Sequence, residues 1–136
     1  MDSHRKQYSF GKSQRLCGQL RIKRLYAEGQ RFIQFPLRVS YQIDSAKEGV
    51  EADVQVLLWA PKSLFRHAVD RNRIRRQMRE AYRLSAQPLR DACREACCPM
   101  KIAVNYIAKQ PLPYSHIQSA MRKAVSRLRS VLTPDS

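Results

Sequence analysis

Five arginines crowd the run Asp70-Arg71-Asn72-Arg73-Ile74-Arg75-Arg76-Gln77-Met78-Arg79-Glu80, and seven lie between Arg66 and Arg83. A guanidinium is always charged, and its planar fork grips two phosphate oxygens at once or stacks on a base. The chemistry on offer is therefore polyanion binding. Glu80 is the only acid between residues 71 and 90, so neutralisation from within the run is incomplete. The whole chain carries 26 Lys and Arg against 11 Asp and Glu, a net charge of +15 over 136 residues. That balance, with a pI near 10.4, is the electrostatic footprint of a nucleic-acid binder.

A catalytic set is harder to find. Hydrolysis by the protein would need clustered carboxylates for a metal, a His pair or an activated nucleophile. Glu51 and Asp53, two apart on an expected strand, share a face and read as solvent-exposed polar positions beside a turn. Asp70 reads as a helix N-cap, and Glu80 as an ion-pair partner of Arg76 or Arg83 at helical spacing. There is no Gly-rich phosphate cradle and no Ser-His-Asp arrangement. Cys17, Cys93, Cys97 and Cys98 contain no Cys-x-x-Cys pair, and His4, His67 and His116 lie far from them. They are expected to be free thiols, with no metal site. By itself the chain reads as non-catalytic.

The elements that must carry the arginines follow from periodicity. Residues 1–12 read as a flexible basic arm, 13–132 as one domain and 133–136 as a tail. Leu16, Leu20, Ile22, Leu25 and Tyr26 form a helical stripe over about 17–28, with Gly29 as its stop. Leu37, Val39, Tyr41 and Ile43 alternate with polar residues as in a strand, and Glu51 to Ala60 reads as another. With the Lys47-Glu48-Gly49 turn between them, these two are expected to form an antiparallel hairpin. A helix over about 69–84 then places Ile74, Met78, Ala81, Tyr82 and Ser85 on one side at about 100° per residue. Asn72, Arg75, Arg76, Arg79 and Arg83 fall on the adjoining arc, with the Arg71–Arg73 triplet opening the helix. A short helix over 89–97, a strand over 101–108 and a final helix capped by Ser115 complete the chain. The order is helix, strands, helix, strand, helix, an α+β sandwich with one mainly antiparallel sheet. No apolar run is long enough to span a membrane, and the N-terminus lacks the apolar core of a secretory signal, so a cytoplasmic protein is expected.

Arg71-Asn72-Arg73-Ile74-Arg75-Arg76, followed by Arg79-Glu80-Ala81-Tyr82-Arg83, resembles the signature helix of the bacterial ribonuclease P protein subunit. The segments from Arg15 to Gly29, Pro36 to Tyr41 and Ile102 to Lys109 resemble other parts of that family, and the likeness spans about residues 10–132. It implies a sandwich with a left-handed strand-helix-strand crossover. It also implies a protein that binds a catalytic RNA and the 5′ leader of precursor tRNA, assisting endonucleolytic removal of the leader. In that family the RNA performs the hydrolysis with Mg2+ held mainly by RNA and substrate. The likeness assigns Arg71, Asn72, Arg73, Arg75, Arg76 and Arg79, with Lys62 and Arg66 before them, to the catalytic RNA. It assigns Ile22, Tyr26, Val39, Tyr41 and Lys109 to a leader cleft between the first helix and the sheet. Stacking of bases on aromatic rings in a positive groove suits such single-stranded RNA. Ile22 stands where an aromatic is common, and Ser63 and Leu64 interrupt a loop that is more basic in many relatives. Two other readings differ in kind. A ribosomal-type structural RNA binder would not need the cleft. A DNA reader of the helix-turn-helix class would be mostly helical, and DNA is not an expected partner.

Overall fold

The computed structural model describes residues 19–44, 53–62 and 66–132. The expected arm, the tail, the Lys47-Glu48-Gly49 turn, Glu51, Cys17 and the loop positions Ser63 and Leu64 lie outside them. Chain order is α1 (Gln19–Glu28), β1 (Gln30–Gln34), β2 (Leu37–Ile43), β3 (Val54–Trp59), α2 (Ala68–Ser85), α3 (Gln87–Ala96), β4 (Met100–Tyr106) and α4 (Tyr114–Leu132). The class is α+β, with four helices and a mixed four-stranded sheet among the described residues.

Strand order is β1-β2-β4-β3. β2 pairs antiparallel with β1 and β4, whereas β3 runs parallel to β4. The expected hairpin between residues 37–43 and 51–60 is therefore not formed, because β4 lies between its two arms. The composition of β4 explains this placement. Ile102, Val104 and Tyr106 are buried on one face, and Ala103 and Asn105 on the other, so this strand needs neighbours on both sides and cover on both faces. A parallel neighbour requires a crossover, which α2 and α3 supply. β1, which the sequence reading passed over, is only five residues with a mostly exposed pattern and carries little apolar alternation.

The two-residue strand period divides the sheet. Leu37, Val39 and Tyr41 of β2, Met100, Ile102, Val104 and Tyr106 of β4, and Val54 and Val56 of β3 join Ile74, Met78, Ile117, Met121 and Leu128 in the main core, beneath α2, α3 and α4. The opposite face receives α1, where Leu25 packs on Ala103 with Ile22, Tyr26 and Leu57 around it.

Several local expectations change. α2 starts at Ala68 with His67 as its extended N-cap, so Asp70 is inside the first turn and the Arg71–Arg73 triplet begins one turn further in. The free amides of that turn suit the Asp70 carboxylate there. α4 starts at Tyr114, which puts Ser115 within the helix. Gly29 does end α1, but for lack of space: a Cβ there would sit 2.5 Å from the Leu25 carbonyl oxygen and 2.6 Å from that of Tyr41. Glycine is what lets the end of α1 lie directly on β2. Asp53, expected to face water, is a scaffold residue. Its carboxylate accepts hydrogen bonds from Arg90 at 3.0 Å through both oxygens and from the Val54 amide at 2.8 Å, and Arg94 lies 3.5 Å away.

Candidate nucleic-acid interface

α2 buries Ile74, Met78, Ala81, Tyr82 and Ser85, the five positions its periodicity selects. Fixing that face against the core fixes the cationic flank as well. Asn72, Arg75, Arg76 and Arg79 line one groove of about 270 Å3. Arg76, Arg79 and Arg83 continue into a second of about 550 Å3 with Gln77, Glu80 and Tyr114. Within this set the guanidinium groups have different surroundings. Arg83 is tied to Glu80, its Nε and terminal nitrogen donating at 3.1 and 2.6 Å. Those hydrogen bonds, helped by the positive charge, hold the Glu80 carboxyl below its usual range despite some desolvation. Arg75 lies with its guanidinium carbon 5.7 Å from the centre of the Trp59 ring. Arg73, Arg76 and Arg79 are exposed and form no ion pair among the described residues. Lys62 and Arg66 are exposed on the approach to α2.

The second surface is the α1 side of the sheet. Ile22 and Tyr26 are there, half-buried, and the Tyr26 hydroxyl donates to Asn105 Oδ1 at 3.2 Å. Val39 and Tyr41 are not. Val39 is fully buried in the main core, and Tyr41, 8% exposed, packs in the same core and donates its hydroxyl to Gln30 Oε1. Both belong to the opposite face of β2, because side chains two apart on a strand share a face and Leu37, Val39 and Tyr41 serve the larger core. The leader-cleft assignment of Val39 and Tyr41 is accordingly corrected. The β2 residues facing α1 are Arg38, Ser40 and Gln42. Their alternation with the apolar set was the signal that could have found them.

Register turns these residues into a line. Ile33 of β1 pairs with Arg38, Arg38 pairs with Asn105, and Asn105 pairs with Trp59 of β3. At about 4.8 Å between strands, this row crosses the α1 face over roughly 14 Å. Arg38, Ile33 and Trp59 are exposed, while Asn105 is only 7% exposed beneath Tyr26. Lys109 is exposed three residues beyond the end of β4, at the end of the sheet where Arg38 and Trp59 also lie. Trp59, Arg38, Ser40 and Asn105 share the α1 face of the sheet and are not among the residues that the sequence analysis singles out.

Among the described residues no three His, Cys, Asp or Glu side chains come together. Three of the described acids are ion-paired: Asp53 with Arg90, Glu80 with Arg83, and Asp44 with Lys101 at 3.2 Å. Cys93 is buried, and desolvation pushes its thiol up to about 12, whereas Cys97 is exposed. No described helix is long and apolar enough to cross a membrane.

The family model described as Ribonuclease P matches residues 10–129. The ribonuclease P protein component of two Porphyromonas gingivalis strains is 34% identical over 121 residues, covering 89% of this chain and 87% of the relative. In fold the chain is similar to the RNase P protein of Staphylococcus aureus, with TM-score 0.65, 20% identity, and 89% of this chain and 99% of that one covered. It is also similar to the RNase P protein of Thermotoga maritima, with TM-score 0.64, 14% identity, and coverage of 83% and 96%. On sequence and fold together, the chain belongs to the ribonuclease P protein family.

Proposed function

We propose that the protein serves the ribonuclease P endoribonuclease through two surfaces, the arginine flank of α2 for the catalytic RNA and the α1 face of the sheet for the 5′ leader of precursor tRNA. The chain is the protein subunit of this tRNA-processing ribonucleoprotein. The observation that carries the first assignment is the exposure of Arg73, Arg76 and Arg79 on a flank held rigid by the buried face of α2. Each guanidinium there can take a phosphate and release a condensed counterion. Arg71, Asn72 and Arg75 extend that flank, and Lys62 and Arg66 lead into it. The second assignment rests on Ile22, Tyr26 and the Arg38–Asn105–Trp59 row, with Lys109 adding charge at the same sheet end. A ring or an aliphatic edge beside a cation suits unpaired bases without reading their sequence.

The described residues do not fit a protein-held catalytic metal, because their acids are dispersed and several of them are ion-paired. We place Mg2+ with the RNA and substrate, and confine the protein to gripping and positioning. The test is reconstitution. Purified protein freed of RNA leaves precursor tRNA uncut, and added to its cognate catalytic RNA at low Mg2+ it restores efficient cleavage. Cleavage by RNA-free protein would overturn the assignment. Tyr26→Ala is expected to weaken binding of leader-bearing tRNA while sparing assembly with the catalytic RNA. Equal weakening for tRNA without a leader removes Tyr26 from the leader surface.

A further inference from the structure

Trp59 ends β3, an edge strand, and is 44% exposed. An aromatic ring at a sheet edge is normally covered or replaced by charge, because an open edge invites unwanted pairing. Here Arg75 is placed over the ring at 5.7 Å, and close to half of the residue still meets water. Arg75 also lines the groove with Asn72, Arg76 and Arg79. On its other side, Trp59 is the register partner of Asn105, which carries the Tyr26 hydroxyl and adjoins Arg38. The indole therefore stands where the two surfaces meet.

We infer that Trp59, steadied by Arg75, is a stacking platform for an unpaired nucleobase of the 5′ leader, passing between the Tyr26 row and the arginine groove. This rests on the RNA-binding reading above and adds to it a specific role for Trp59 and a contact with Arg75. The chemistry matches the position. An indole offers a broad π-face that accepts any base. A guanidinium held against the ring supplies the charge for the neighbouring phosphate. Placement favours the leader over the catalytic RNA, since Trp59 lies on the α1 face and continues the Arg38–Asn105 row. A cation merely shielding an edge aromatic would explain the Arg75 contact, but it would make no distinction between RNA with bases and RNA without them.

Trp59 is the one tryptophan in the chain, so its emission reports directly on the platform. The full-length protein, assembled with its catalytic RNA, is titrated with three precursors: one with a single-stranded leader, one without, and one whose leader is abasic but equally charged. Quenching by the base-bearing leader, and by neither of the others, is the expected result. Trp59→Ala should weaken binding of the base-bearing precursor roughly ten- to hundredfold and leave the abasic one unchanged, with Trp59→Phe retaining most of the affinity. Equal quenching by the abasic leader overturns the inference. So does quenching by catalytic RNA alone with no further change on adding precursor. Undiminished assembly and cleavage without base-dependent quenching sinks the platform and leaves the RNA-binding reading standing. Failure to bind any RNA would sink both.

Discussion

Two groups of arginines in this molecule have the same chemistry and opposite uses. Arg90 and Arg94 of α3 converge on Asp53 at the start of β3, with Arg90 held bidentately at 3.0 Å. Arg73, Arg76 and Arg79 of α2 point to water with no internal carboxylate among the described residues. The first group ties the crossover helix to the sheet edge. The second leaves its charge unspent for an external polyanion. What separates them is an acid 37 residues away from Arg90 in sequence, which folding brings next to one group and not the other. Charge density alone does not distinguish the two groups; an acid supplied by the fold to one of them does.

The contrast can be broken by exchanging the fates of the two groups. Arg73, Arg76 and Arg79 replaced together by Ala should lower affinity for the catalytic RNA by on the order of a hundredfold or more at moderate salt. Their loss should move the unfolding free energy by no more than about 0.5 kcal/mol, as for surface positions generally. Filter binding and chemical denaturation read the two effects separately.

Asp53→Asn should do the reverse, costing about 2 kcal/mol of stability because Arg90, largely buried, loses its charged partner. RNA affinity of the folded variant should be unchanged. Its pH dependence gives a further check. Burial works against the Asp53 charge, but the Arg90 hydrogen bonds, the Val54 amide and the nearby positive charges outweigh it, so the pKa lies below the ordinary 3.8. A depressed folded pKa means that the stabilisation is fully present above the unfolded value. It disappears as pH falls through the folded value. Wild type and Asp53→Asn should therefore converge in strong acid, with their full difference already present above about pH 4 to 5.

Tyr26→Phe retains the ring and removes the hydroxyl that donates to Asn105, a loss of about 1 kcal/mol in stability. Leader affinity should change little, which separates the packing of Tyr26 from its stacking. The smallest effect concerns the C-terminus of α3. Cys97 occupies the left-handed region at φ 56°, so Cys97→Gly should stabilise the fold by about 0.5–1 kcal/mol without altering RNA binding. Equilibrium unfolding measures both.

How far these features could be read in advance depends on their range. The buried and cationic faces of α2 follow from spacing within one helix, and the structure has them where the period puts them. Strand alternation in residues 37–43 was equally local and correct. Which face of β2 meets which helices was not local: Val39 and Tyr41 were expected beside α1 and are on the other side. The same limit produced the false hairpin, since nothing within β2 or β3 announces that β4, more than 40 residues later, will insert between them. Asp53 and Arg90 are a pair of that long-range kind. The Arg38–Asn105–Trp59 row required three strands in register before it existed.

The central claim is that exposed guanidiniums of α2 neutralise RNA phosphates, and the salt dependence of binding measures this most directly. Log affinity for the catalytic RNA against log salt should fall with a slope near −4 to −5 for about six phosphate contacts. Removing Arg73, Arg76 and Arg79 should make that slope shallower by about 2 to 3. A slope unchanged by the triple substitution would mean that these charges face water in the complex and that the RNA is held elsewhere.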